Sequence, residues 1–225
     1  MSDTESFIEE VNDEVRRDRL FGLLKKYGWI GGLVVVLIVG GAAWSEYQKA
    51  QARAQAEALG DAMLTALASD EAETRSAALA ELSVENPTAQ ALVAMLTAAQ
   101  AQQAGEAENA AAQLDAIASN GEIPEIYRQI ASFKSLTLQA ETLDAATRRQ
   151  GYEALSLAGS PLRLLAVEQL ALMDVAGGDK DAAIDRYQSI LEDAAVTSDL
   201  QQRALQVIVA LGGTPDLENL PLAGN

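Results

Sequence analysis

The sequence predicts an all-α protein, with a single N-terminal transmembrane helix followed by a solenoid of helical hairpins. Three observations carry this. A run of 19 residues without a charge, Tyr27 to Ser45, lies near the start of the chain. Alanine, the strongest helix former, supplies 43 of 225 residues and is mixed with Leu, Gln, Glu and Arg. Beyond residue 86, glycine or proline interrupts the chain at regular intervals, and no segment combines strand alternation with hairpin turns.

The uncharged run comes first in the chain. As a helix it would extend about 28 Å, close to the roughly 30 Å of a bilayer core. Tyr27 and Trp29 mark one end and Trp44 and Tyr47 the other, where aromatic rings favour the interface. A buried core helix would keep a polar stripe that this run lacks. Arg16, Arg17, Arg19, Lys25 and Lys26 precede it, against Lys49 and Arg53 after it, so the N-terminus is expected in the cytoplasm and residues from about 46 across the membrane. Ala50-Gln51-Ala52 resembles a cleavage site, but the 26-residue acidic leader is unlike a short basic signal region, which favours a permanent anchor. Gly28 and Gly32 form one G-x-x-x-G, a weak dimerisation signal this close to the helix end. Before the span, Phe7, Ile8, Val11 and Val15 fall at helical spacing, and either an amphipathic surface helix or a partly ordered stub accounts for them.

The expected divisions are a cytoplasmic tail (1–26), the transmembrane helix (27–45), a membrane-proximal helical stalk (46–68), a repeat domain (69–213) and a C-terminal tail (214–225). In the stalk, Tyr47, Ala50, Ala54 and Ala58 share a stripe. A short helix follows near Glu71–Leu82, then helices near 88–104, 106–119, 124–140, 142–156, 161–176, 180–192 and 198–211. Asn86-Pro87 reads as an N-cap followed by proline at the first helical position, and Ser160-Pro161 reads the same way. Two hairpins superpose at an offset of 73 residues. Gly105, Ala110, Leu114 and Ile117 in the first correspond to Gly178, Ala183, Tyr187 and Ile190 in the second, with Leu170 in the core of the second pair's first helix. Glycine suits the tight turn, the small alanine lets helices approach, and the larger residues fill the seam. Two units of about 34 residues, slightly expanded, leave room for an intermediate pair at 124–156.

Composition also excludes function classes. With neither Cys nor His, the chain offers no conventional zinc, haem, iron–sulfur or thiol chemistry, and no cofactor or metal is expected. A net charge of −17 opposes nucleic-acid binding. There is no phosphate-binding loop, G-x-S-x-G or H-E-x-x-H. The acidic pairs Glu106/Glu108 and Asp179/Asp181 stand at helix starts, where the helix dipole explains them. The chain therefore reads as non-enzymatic. Arg148, Arg149 and Arg163 are candidate partner-binding residues, able to form a basic patch for an acidic segment; their placement near helix ends is the plainer account.

The run from Gly178 to Tyr187 resembles the second half of a tetratricopeptide repeat, and Gly105 to Ile117 resembles a degraded copy. The early tryptophan of that repeat is absent, and Asp174 stands where a tyrosine is usual. The complete arrangement (short charged tail, single span, Ala-rich repeat domain) resembles the YfgM family, ancillary subunits of the SecYEG translocon. The run from Glu9-Glu10-Val11 to Arg19-Leu20-Phe21, and Lys26-Tyr27-Gly28-Trp29, are similar to alphaproteobacterial members. The resemblance implies a bacterial inner-membrane protein with a periplasmic domain. It would offer a concave helical surface beside the translocon, partnered by a membrane-anchored chaperone of the peptidyl-prolyl isomerase type and by unfolded client proteins. The alternatives are a structural or assembly subunit of another inner-membrane complex, or an envelope scaffold.

Overall fold

The computed structural model describes the backbone of residues 3–217 and the side chains of Lys25, Lys26 and residues 29–217. The amphipathic spacing in the tail before the span, the side chains of Tyr27 and Gly28, and residues from 218 onward lie outside that description. Helices are α1 (Asp3–Ala66), α2 (Ala72–Ala80), α3 (Pro87–Gln103), α4 (Ala107–Ser119), α5 (Glu125–Leu138), α6 (Ala145–Leu155), α7 (Arg163–Ala176), α8 (Lys180–Leu191) and α9 (Ser198–Ala210). No strand occurs among the described residues. The chain divides into two compact units between Asp61 and Ala62.

In the first unit, α1 is unbroken. The whole helix has 64 residues, about 96 Å at 1.5 Å per residue. Its described side chains are exposed through Ala58, including Trp29, the Leu33–Val39 run and Trp44. A core helix of a soluble domain would bury such a run. This one is long and apolar enough to cross a membrane.

In the second unit each helix packs chiefly on the helix before and after it in sequence, the nearest-neighbour pattern of a solenoid. Asn86 caps α3, its Oδ1 accepting from the Ala89 N–H at 3.1 Å, with Pro87 in the first turn. The parallel expectation for Ser160-Pro161 fails. Ser160 Oγ instead accepts the Leu162 N–H at 3.2 Å and donates to Gln129 Oε1 at 3.2 Å, so the chain turns once more before α7 starts at Arg163. Three more helices are capped by Asp144, Asp179 and Thr197 (α6, α8, α9), each side chain accepting an N–H of the first turn, while α2, α4 and α5 start without a side-chain cap.

A common closing turn sets the hairpin spacing. At the end of α3, Gly105 N–H bonds to Gln102 O and Glu106 N–H to Ala101 O; at the end of α7, Gly178 pairs with Val175 and Asp179 with Asp174. Both glycines have φ of +84°, the left-handed geometry of a Schellman cap, in which a side chain would be strained. At the matching place after α5 stands Gln139, with φ −88°. Without a glycine the tight reversal is closed, and the connection to α6 runs from Gln139 to Asp144 where the other two hairpins use three residues.

That longer connection falls within the middle unit of the repeat. Val93, Thr97 and Ala101 of α3 recur as Tyr127, Ala131 and Ser135 of α5, Ala166, Leu170 and Asp174 of α7, and Leu200, Ala204 and Ile208 of α9, at intervals of 34, 39 and 34 residues. Of these twelve residues eleven are buried and Tyr127 is half-buried. The core accordingly falls into three clusters in series, around α3–α5, α5–α7 and α7–α9.

Candidate interaction surface

A groove of about 530 Å³ opens between α3, α4 and α5. Its walls are mixed: Met95, Ala98 and Ala99 from α3, Leu114 from α4, and Phe133 and Leu138 from α5 give apolar surface, and Gln102, Thr137 and Thr142 give uncharged polar groups. Lys134 and Glu141 are its charged lining groups, so it has no strong net sign. Phe133 is held by an edge-on contact with Tyr152 of α6, ring centroids 5.6 Å apart at 66°, and the Tyr152 hydroxyl lies 3.1 Å from Thr137 Oγ1. The helices α5 and α6 approach tightly at Gly151, where a Cβ would stand 2.7 Å from both Leu136 methyls. Toward the α4 side, Ser135 Oγ donates to Asp115 Oδ1 at 2.6 Å and accepts from Gln139 Nε2 at 2.6 Å. This polar link satisfies a fully buried hydroxyl.

The three arginines expected to form a basic patch are each engaged with a different internal acceptor. Arg148 donates to the Ala140 carbonyl, reaching back over the α5–α6 connection. Arg149 pairs with Asp174 at 2.7 Å and Arg163 with Asp193 at 2.7 Å. Each thus has a partner within the repeat domain, and Arg149 and Arg163 keep about one-third of their side chains exposed.

Asp174, which departs from the repeat consensus, is the residue that sequence reasoning missed. Its side chain is 7% exposed, and it takes Arg149 of α6 on one oxygen and Arg186 of α8 on the other, both at 2.7 Å. Burial opposes its ionisation, but the hydrogen bonds and charges of the two guanidinium groups outweigh burial and hold its carboxyl below the ordinary range. Asp193 is lowered in the same sense, first by its bond from Arg163 and then by the Ala195 N–H. A lone acid at a core position was a signal in itself, since such a group requires a cationic partner; which arginines supply it is decided by packing.

The residues expected at seams occupy these places: Ala110, Leu114, Ile117, Leu170, Ala183, Tyr187 and Ile190 are buried, while Gly105 and Gly178 form the exposed turns. Tyr187 packs among α7, α8 and α9. Burial, aided by the nearby Glu168 charge, pushes its phenol up to about 12. Among the described residues no group of His, Cys, Asp and Glu is arranged to hold a metal.

No curated protein and no solved structure matches the chain. A family pattern does, the tetratricopeptide repeat-like domain, over residues 24–156. That stretch begins just before the uncharged run and extends through α6, so it includes the groove and the three helices that frame it. Since the match covers more than half of its length, the chain belongs to the tetratricopeptide repeat-like domain family.

Proposed function

We propose that this protein is a single-pass membrane-anchored scaffold of the SecYEG translocon. Its repeat domain would lie in the periplasm, binding a membrane-anchored peptidyl-prolyl isomerase-type chaperone and unfolded clients during export and folding. Tetratricopeptide repeat-like domains suggest protein–protein interaction and are typically non-enzymatic. The observation that carries the reading is continuity: one helix, α1, contains the exposed apolar run and continues through the stalk segment to Ala66. Tethering of this kind raises the effective concentration of a weak binding surface near a membrane exit site.

Two experiments test it. The chain has no cysteine, so single cysteines report topology cleanly. A membrane-impermeant maleimide added to spheroplasts is expected to label Gln202→Cys and to spare Ser6→Cys; the reverse pattern would overturn the orientation. Site-specific photocrosslinking from the stalk (Gln51) and the repeat domain (Gln102) in intact membranes is expected to recover translocon subunits or a periplasmic foldase. Recovery of a different inner-membrane complex alone would make the protein a structural or assembly subunit of that complex instead.

A further inference from the structure

The repeat register aligns a row of side chains that are distant in sequence. Leu92 of α3, Ile126 of α5 and Leu165 of α7 each stand one residue before the first core position of their helices, 34 and 39 residues apart. All three are exposed, at 46%, 39% and 37%. Two turns further along α7, Leu172 is exposed as well. Scattered exposed aliphatics need no explanation, but the same position left open in three consecutive repeats is a patterned surface. The rows are tied to one another nearby: Ser160, before α7, donates to Gln129 of α5, and Glu168 of α7 binds Arg203 of α9 through both oxygens at 2.8 and 3.0 Å.

Charge is partitioned around this row. The next turn of each helix offers Leu96, Ile130 and Gln169, none of them charged. Glu168 is neutralised by Arg203, and Arg163 at the start of α7 by Asp193. Acidic side chains collect at the N-terminal ends of the helices, with Glu85 before α3 and Glu122 and Glu125 at the start of α5, all exposed, against the single half-buried Arg128 in the first turns of α5. Glu125 is held on the side of the row, where its Oε1 accepts from Gln129 Nε2 at 2.8 Å. On α9 the register position is itself Asp199.

We infer that the Leu92–Ile126–Leu165 row docks a polypeptide segment with aliphatic side chains flanked by lysine or arginine. The apolar part is buried on the row and the cations meet the acidic rim. The inference deepens the scaffold reading and rests on it, since it names the chemistry of what the repeat domain binds. An acidic segment would be repelled by the same rim.

The test uses the full chain in phosphatidylcholine nanodiscs, with empty nanodiscs as control, and three fluorescent peptides sharing one Leu/Ile/Ala core between Lys, Ser or Glu pairs. Anisotropy at low salt is expected to rank Lys above Ser above Glu, with at least a tenfold gap between the extremes. Ile126→Ser with Leu165→Ser is expected to weaken the Lys-flanked peptide at least tenfold with unchanged helical circular dichroism, because both side chains are exposed. Glu122→Gln with Glu125→Gln is expected to narrow the Lys-over-Glu preference and to leave the Ser-flanked peptide bound. Equal binding of Lys- and Glu-flanked peptides, or a double serine variant that binds like the parent, overturns the inference. If no peptide binds while the membrane crosslinks persist, the row is not the docking surface and the scaffold stands. Loss of both removes the scaffold reading too.

Discussion

The α3–α4 and α7–α8 hairpins share one backbone plan and fill it with different chemistry. In both, a left-handed glycine closes the turn and a fully buried alanine (Ala110 or Ala183) lets the helices approach. Elsewhere the volumes diverge. Thr97, Ala101 and Leu114 of the first hairpin correspond to Leu170, Asp174 and Tyr187 of the second. The α3–α5 cluster is largely alanine, whereas the α7–α9 cluster is filled by Tyr187, Ile190, Leu191, Leu200 and Ile208. Turn and contact point are dictated by backbone sterics and so repeat. The remaining positions answer only to the total volume between neighbouring helices, which different combinations can fill.

Breaking that equivalence gives the largest expected effect. Ala101→Asp places in α3 the acid that α7 carries, but at a fully buried site whose register counterparts of Arg149 and Arg186 are absent. An uncompensated buried charge is expected to cost about 3–5 kcal/mol, read as early urea unfolding of α3–α4 by hydrogen exchange. Tyr187→Ala removes a side chain 1% exposed and is expected to cost about 3–4 kcal/mol, more than Leu114→Ala in the alanine-rich hairpin, whose smaller side chain leaves a smaller cavity. Equal costs would mean that volume is not what separates the two regions.

Asp174→Ala sharpens the comparison at the level of charge. Arg149 and Arg186 are about one-third exposed, so water takes up part of the lost pairing and the expected cost is about 1–3 kcal/mol. The linkage sign follows from the depressed carboxyls of Asp174 and Asp193. Their stabilisation is present above the unfolded value near 3.9 and is lost as pH falls through the lower folded values. Acid should therefore loosen the α6–α9 region, and Asp174→Ala should flatten that dependence. At the alkaline end, the raised phenol of Tyr187 predicts stability lost between about pH 10 and 12, with Tyr187→Phe removing the effect in an absorbance-monitored titration.

The smallest effects should be equal in both hairpins. Gly105→Ala and Gly178→Ala meet no neighbouring atom, so each is expected to cost only the left-handed backbone penalty of about 1–2 kcal/mol. A difference between them in thermal unfolding would show that the two turns are not equivalent.

The sequence by itself determined whatever depends on a residue and its near neighbours along the chain. The charge-free run marks a helix fit for a bilayer because the pattern is local and continuous. Helix ends were readable to within about three residues, because caps and glycine turns act over a few positions. The pairing of Gly105 with Gly178 was readable too, since both carry the same turn. Its two steps, with an intermediate pair at 124–156, were readable as well; where the extra residues lie was not, and the structure puts Gln139 and a longer α5–α6 connection in the step of 39 residues. Only the tertiary structure decided which charges meet. Asp174 takes arginines 25 residues before it and 12 after it, and Arg149 and Arg163 turn inward to acids that nothing adjacent announces. Ser160-Pro161 looked like a helix start because its own dipeptide says so, yet the Gln129 amide, 31 residues away, claims the serine hydroxyl. The row formed by Leu92, Ile126 and Leu165 likewise exists only once the helices are stacked. Each residue by itself is an unremarkable apolar side chain, and what aligns the three is the packing of neighbouring repeats.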